Sequence, residues 1–139
     1  MVFNITPFYA ESGGQVGDRG YISNGKEKID IIDTLIENKL TVHITKKLPE
    51  NLKGEFIAKV DMRARKNAAR NHTATHLMHK ALRNVLGTHV EQKGSLVHPD
   101  YLRFDFSHPE ALTQEEIQEV EDLINKKIEE DLEVSSTEL

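Results

Sequence analysis

The sequence predicts an α+β protein: short strands over residues 1–60 that suggest a small barrel or a curled sheet, then a region over residues 61–139 built on one long helix. Three observations predict it. Short alternating runs separated by turn signals fill the first sixty residues. The apolar period changes from two to about 3.6 at Asp61. Beyond that point residues 62–86 contain neither Gly nor Pro.

The elements follow in order. Residues 9–20, Tyr-Ala-Glu-Ser-Gly-Gly-Gln-Val-Gly-Asp-Arg-Gly, carry four of the eight glycines. Glycine admits positive φ and close backbone approach, so this stretch reads as a shaped loop. Residues 21–23 lead into Asn24-Gly25, a strong hairpin signal, and residues 28–35 read as one returning strand. Glu37-Asn38-Lys39 is a second turn. Residues 40–44 alternate as a half-buried strand, and residues 56–60 form another. Asp61 is a good N-cap. Behind it, Ala74, Leu77, Met78, Ala81, Leu82 and Val85 recur at three- and four-residue spacing. That makes residues 62–86 an amphipathic helix, which Gly87 stops. Residues 90–97 and 101–106 read as two strands joined at His98-Pro99-Asp100. Thr113, with Glu116 three places on, starts a second helix as a capping box. Ile117, Val120, Leu123, Ile124 and Ile128 form its apolar stripe. Residues 134–139 are short and polar and read as a cut end.

A chain of 139 residues with 37% hydrophobic residues can bury one ordinary core. The absence of Cys excludes disulfides, thiolate nucleophiles and Cys-rich zinc sites within it. No apolar run reaches about 18 residues, so no membrane span is expected. The first residues lack the basic and apolar regions of a secretory signal. The expected location is the cytoplasm. The formal net charge of -5 conceals a split. Residues 110–139 hold eleven acidic side chains against Lys126 and Lys127, whereas residues 1–109 hold sixteen Lys and Arg against twelve Asp and Glu. The acidic end reads as a solvated helix, and the basic body leaves room for a polyanionic partner.

The sharpest chemical feature is Asn71-His72-Thr73-Ala74-Thr75-His76. Two histidines four apart on a helix differ by about 40° in azimuth and about 6 Å in rise. They can grip one metal ion from one face, which His79 and Arg83 share, with Leu77, Ala81 and Val85 opposite. Taken alone, such a pair is more often simply solvent-facing. A zinc protease would carry Glu directly after the first His. Here Thr73 stands there, against that reading. A zinc site needs three or four protein ligands, and spacing supplies two; His43, His89, His98 and His108 are distant candidates. Residues 87–97, with Gln92 near the start of a strand, read alone as a helix stop and a strand. Lys59, Arg63, Arg65, Lys66 and Arg70 cluster around the helix start; they can meet phosphate, although a solvated surface is the commoner outcome.

Together these segments carry a resemblance. Residues 6–20, Thr-Pro-Phe-Tyr-Ala-Glu-Ser-Gly-Gly-Gln-Val-Gly-Asp-Arg-Gly, closely resemble the glycine-rich segment of alanyl-tRNA synthetases of the bacterial type. Residues 71–77 resemble that family's first zinc half-site. Residues 87–97 and Leu102-Arg103-Phe104-Asp105-Phe106-Ser107-His108 resemble the blocks that follow it, in the same order. Four ordered motifs spanning almost the whole chain make chance agreement very improbable.

The resemblance implies the editing region of the family, which hydrolyses seryl- and glycyl-tRNA(Ala) made in error. It also implies a glycine-rich β-barrel followed by an α+β editing core. AlaX-type trans-editing proteins and threonyl-tRNA synthetases carry related domains. By residue, His72 and His76 match the first two zinc ligands, Thr75 a Thr implicated in rejecting alanine, and Gln92 a Gln lining the editing pocket. The other two ligands come from a Cys-Gly-Gly-Thr-His block that this chain lacks. The implied state is therefore a fragment with a half-present zinc site, inactive by itself, whose partner is mischarged tRNA(Ala) rather than DNA or a membrane. ATP is implied only for the intact synthetase. Three rivals remain: a free-standing AlaX-type deacylase, a non-catalytic tRNA-binding module, and a structural metal-binding domain.

Overall fold

Two turns set the register of the β-rich region. In the computed structural model, which describes residues 1–131, strand β1 (Gly20–Ser23) returns antiparallel as β2 (Lys28–Ile31), pairing Ile22 with Ile29. Asn24 shapes the connection: its Oδ1 accepts from the Lys26 and Glu27 amides at 3.0 and 2.8 Å, and Gly25 takes φ +86°. Strands β3 (Asp33–Glu37) and β4 (Leu40–Ile44) pair Glu37 with Leu40 across Asn38 and Lys39. Both turn residues have positive φ, 51° and 65°, the I′ geometry that matches strand twist.

The single strand expected over residues 28–35 is two strands. Exposed Ile32 breaks it, and its amide donates to the Ile44 carbonyl at 2.9 Å, so the chain passes from one sheet to another there. The first sheet has order β2-β1-β5, with β5 being Ile57–Val60; the second is β3-β4. In place of the expected barrel, these residues form two separate antiparallel sheets.

Helix α1 (Met62–Leu86) begins and ends as the sequence predicts. Asp61 Oδ1 accepts from the Ala64 amide at 3.0 Å, and Gly87, at φ +127°, ends the helix with its amide on the Arg83 carbonyl. Strands β6 (Gln92–Val97) and β7 (Leu102–Phe106) form a two-stranded sheet. Thr113 and Glu116 complete the capping box of α2 (Gln114–Glu129). The polar stretch 134–139 lies outside the described residues. Among the described residues no helix is long and apolar enough to cross a membrane.

The chain divides into two compact units, Met1–His72 with Ser95–Arg103, and Thr73–Gly94 with Phe104–Leu139. The core of the first is Phe8, Ile22, Ile29 and Ile31, backed by Met1, Phe3, Phe56, Ala58 and Val60. His43 is buried against it, with Phe3 and Phe8 edge-on at 4.8 and 5.3 Å. The core of the second is Ala81, Leu82, Val90 and Val120. On α2, Val120 is buried and Ile128 exposed, so the stripe is anchored at its middle.

Candidate functional site

Within the first unit, the glycine-rich segment folds into a tight hairpin. Ser12 and Gln15 exchange backbone hydrogen bonds of 2.9 and 3.2 Å around Gly13 and Gly14, at φ +57° and +82°. Gly14 is required for a second reason. A Cβ there would stand 2.5 Å from Ser95 Oγ and 2.8 Å from the Ser95 carbonyl oxygen. That closeness lets the Val97 amide reach the Gly14 carbonyl at 2.7 Å and the Val16 amide reach the Val97 carbonyl at 3.0 Å. The end of β6 therefore clamps the hairpin from its flank.

The clamp aims Gln15 at α1. Gln15 Oε1 accepts from His72 Nδ1 at 3.0 Å. A carbonyl oxygen can only accept, so this bond calls for a proton on His72 Nδ1. One position earlier, Asn71 Nδ2 donates to the His98 carbonyl at 2.7 Å. Two of the motifs read separately in the sequence thus meet at His72. No role for Gln15 was legible there; the signal was a polar residue directly after a Gly-Gly hairpin tip.

Asp18 holds the other end of the glycine-rich segment. Its buried carboxylate accepts from the Tyr9 amide at 2.7 Å and from Arg65 Nε at 2.9 Å, and it pairs with Arg65 Nη2, which also reaches the Pro7 carbonyl at 2.6 Å. The Asp18 carboxylate raises the Arg65 guanidinium further above its ordinary range. Arg65 is therefore a structural ion-pair member, and leaves the basic cluster.

The second unit holds Thr75, His76 and Gln92. Thr75 is buried at 6% exposure, whereas His76 is exposed one position on. Gln92 is exposed at the first residue of β6, matching the reading that placed it at a strand start. The helix face that spacing assigns to His72, His76, His79 and Arg83 is not uniformly polar. His79 packs against Phe104, ring centroids 5.3 Å apart, and among the described residues its buried Nε2 has no hydrogen-bond partner. Arg83 Nη1 turns to the Val90 carbonyl at 3.0 Å. Leu77 stays outside both cores.

The distant histidines find local partners. His43 bonds Thr6 Oγ1 at 2.7 Å and the Met1 carbonyl at 3.0 Å, and burial holds its pKa below the ordinary value, opposed by the Met1 contact. His98 stacks on Tyr101 at 4.7 Å. His89 Nε2 and His108 Nδ1 lie 2.8 Å apart. Among the described residues no group of three or more His, Cys, Asp or Glu is placed to hold a metal ion. A closed zinc shell therefore does not fit the described donors, and His72 and His76 offer two imidazoles.

Comparison with known proteins adds a sequence relationship. The family described as tRNA synthetases class II (A) matches residues 1–66. The chain is 59% identical over 128 residues to the alanine–tRNA ligase of Bacteroides fragilis, covering 92% of this chain and 15% of the relative. It is 57% identical over 128 residues to that of Parabacteroides distasonis, with the same coverage. It is 55% identical over 133 residues to that of Christiangramia forsetii, covering 95% of this chain and 15% of the relative. The chain thus spans about 15% of the length of these curated relatives.

Proposed function

From the premise that this chain is a relative of the alanine–tRNA ligases, we propose that it corresponds to part of their editing region. The substrate is tRNA(Ala) mischarged with serine or glycine, and the reaction is hydrolysis of the aminoacyl ester. The relatives carry the name of a ligase, which does not favour a free-standing deacylase or a non-catalytic binding module.

The physical need for such a site is plain. Serine differs from alanine by one hydroxyl, and a synthetic pocket built for alanine rejects an added hydroxyl by only about 10²-fold. A second, hydrolytic pocket that rewards the hydroxyl removes the error. Thr75 and Gln92 are the hydrogen-bonding groups assigned to that pocket, with Thr75 rejecting alanine.

One observation supports the reading most: the Gln15–His72 hydrogen bond at 3.0 Å. Metal-bound imidazoles commonly donate the other ring N–H to a fixed oxygen, and Gln15 provides that oxygen. It fixes the orientation of the His72 ring. A zinc ion, when bound, would supply Lewis-acid polarisation. With two ligands in the chain and no closed shell, no step of hydrolysis is assigned to it, and the isolated chain is expected to be inactive.

The test is made in a complete ligase carrying this segment. His76→Ala should abolish deacylation of seryl-tRNA(Ala) while leaving the rate of alanine charging unchanged. Equal loss of both activities, or loss of neither, contradicts the proposal.

A further inference from the structure

Helix α1 carries six Lys and Arg over Met62–Leu86 and not one Asp or Glu. Three of the six, Arg63, Lys66 and Arg70, line an open groove of about 430 Å³ with Met62 and Asn67. All three are exposed, and among the described residues none has a carboxylate partner. The nearest acid, Asp61, is already committed to the Ala64 amide and to Arg19 Nε at 3.5 Å. Arg70 Nη1 donates to Asn67 Oδ1 at 3.4 Å.

This arrangement costs the fold free energy. Cations in the first turns of a helix face the positive end of its dipole. Lys66 and Arg70, four apart, and Arg63 and Lys66, three apart, are like-charged neighbours on one face. Among the described residues no acid neutralises the row, so an external anion is its natural complement. From Arg63 to Arg70 the helix rises about 10 Å. That length is about three phosphate-to-phosphate steps along one strand, taking the roughly 3.4 Å axial rise of a duplex DNA strand as the scale. Guanidinium forks at both ends suit bidentate contact with phosphate oxygens.

We propose that Arg63, Lys66 and Arg70 form a backbone-phosphate groove for RNA, the surface on which a tRNA strand lies along the start of α1. The assignment rests on the reading that this chain handles tRNA, but not on any hydrolysis.

The test measures binding of uncharged tRNA(Ala) to the 139-residue chain as a function of salt. The Arg63→Gln/Lys66→Gln/Arg70→Gln variant should bind at least about tenfold more weakly at 0.1 M salt, and its log-log salt slope should be shallower by about 2 to 3. A variant with the same change of charge elsewhere, Lys26→Gln/Lys46→Gln/Lys47→Gln, should keep the wild-type slope. Because the groove cations oppose the helix dipole, the groove variant should melt no lower than wild type, so weakened binding cannot be assigned to unfolding. Equal slopes for wild type and the groove variant overturn the proposal. So does equal binding of duplex DNA and heparin with the same loss in the variant, which would make the groove a general polyanion surface. Since uncharged tRNA is used, failure here leaves the deacylation reading standing, and failure of deacylation leaves the groove standing.

Discussion

Gln15 and His72 are 57 positions apart in the chain, and Gln15 Oε1 accepts from His72 Nδ1 at 3.0 Å. The bond joins the glycine-rich hairpin to the helix that carries both candidate ligands. Its direction favours a proton on Nδ1. We expect ¹⁵N-detected NMR to show His72 protonated on Nδ1 in the wild-type chain. Gln15→Leu should release that preference, and Gln15→Glu should restore it, because a carboxylate also accepts. A merely space-filling Gln15 would leave the tautomer unchanged in the Leu variant.

The Asp18–Arg65 pair gives an asymmetric prediction. Removing Arg65 leaves a carboxylate that is 4% exposed and has one amide donor. Removing Asp18 leaves a guanidinium that is 33% exposed and can turn to water. Arg65→Ala should therefore cost more stability than Asp18→Ala, about 3 kcal/mol against about 2. Urea unfolding of the two variants measures the order.

Helices, caps and turns were legible from the sequence because their causes are local. Asp61, Gly87 and the Thr113–Glu116 pair act within four residues of themselves, and α1 runs over the residues predicted. The break at Ile32 was not legible, because an unbroken apolar run does not record a change of pairing partner. Nor was the role of Gln15, which depends on Val97 and Ser95 arriving from more than 70 residues away to clamp the hairpin. The basic cluster was legible as composition only. Its division into an absorbed Arg65 and an exposed Arg63, Lys66 and Arg70 depends on where Asp18 sits. Thr75 was read as one position from a ligand, and its burial was not foreseen.

Close backbone approach makes the glycines unequal. A Cβ on Gly17 would stand 2.0 Å from the Thr34 carbonyl oxygen, whereas nothing lies within 4 Å of one on Gly13. Gly17→Ala should cost more than about 3 kcal/mol, since backbone must move. Gly13→Asn should stay within about 1 kcal/mol, because Asn tolerates φ +57°. Thermal melts of the two variants suffice.

Acid should weaken the fold in two windows. The His43 pKa is lowered from 6.5 chiefly by burial. The unfolded chain therefore binds that proton first, and stability falls as pH drops from 6.5 toward the lowered value. The Asp61 pKa is lowered from 3.8, first by the Ala64 amide and also by Arg19. Its contribution is present above 3.8 and is lost as pH falls through the lowered value. Urea midpoints at pH 7.5 and 5.5 should differ for wild type, and His43→Gln should reduce that difference.

The central claim is a hydrolytic pocket that uses Thr75 to tell serine from alanine. Because Thr75 is buried at 6% exposure, a bulky replacement would overpack the helix, and Thr75→Val is the informative change: it removes the hydroxyl and keeps the shape. The measurement is deacylation of seryl- and alanyl-tRNA(Ala), each charged beforehand, by a complete ligase with and without Thr75→Val. The account predicts a changed seryl-to-alanyl ratio, with alanyl-tRNA(Ala) hydrolysed faster relative to the seryl form. An unchanged ratio with both rates intact would contradict it and leave Thr75 an ordinary helix residue.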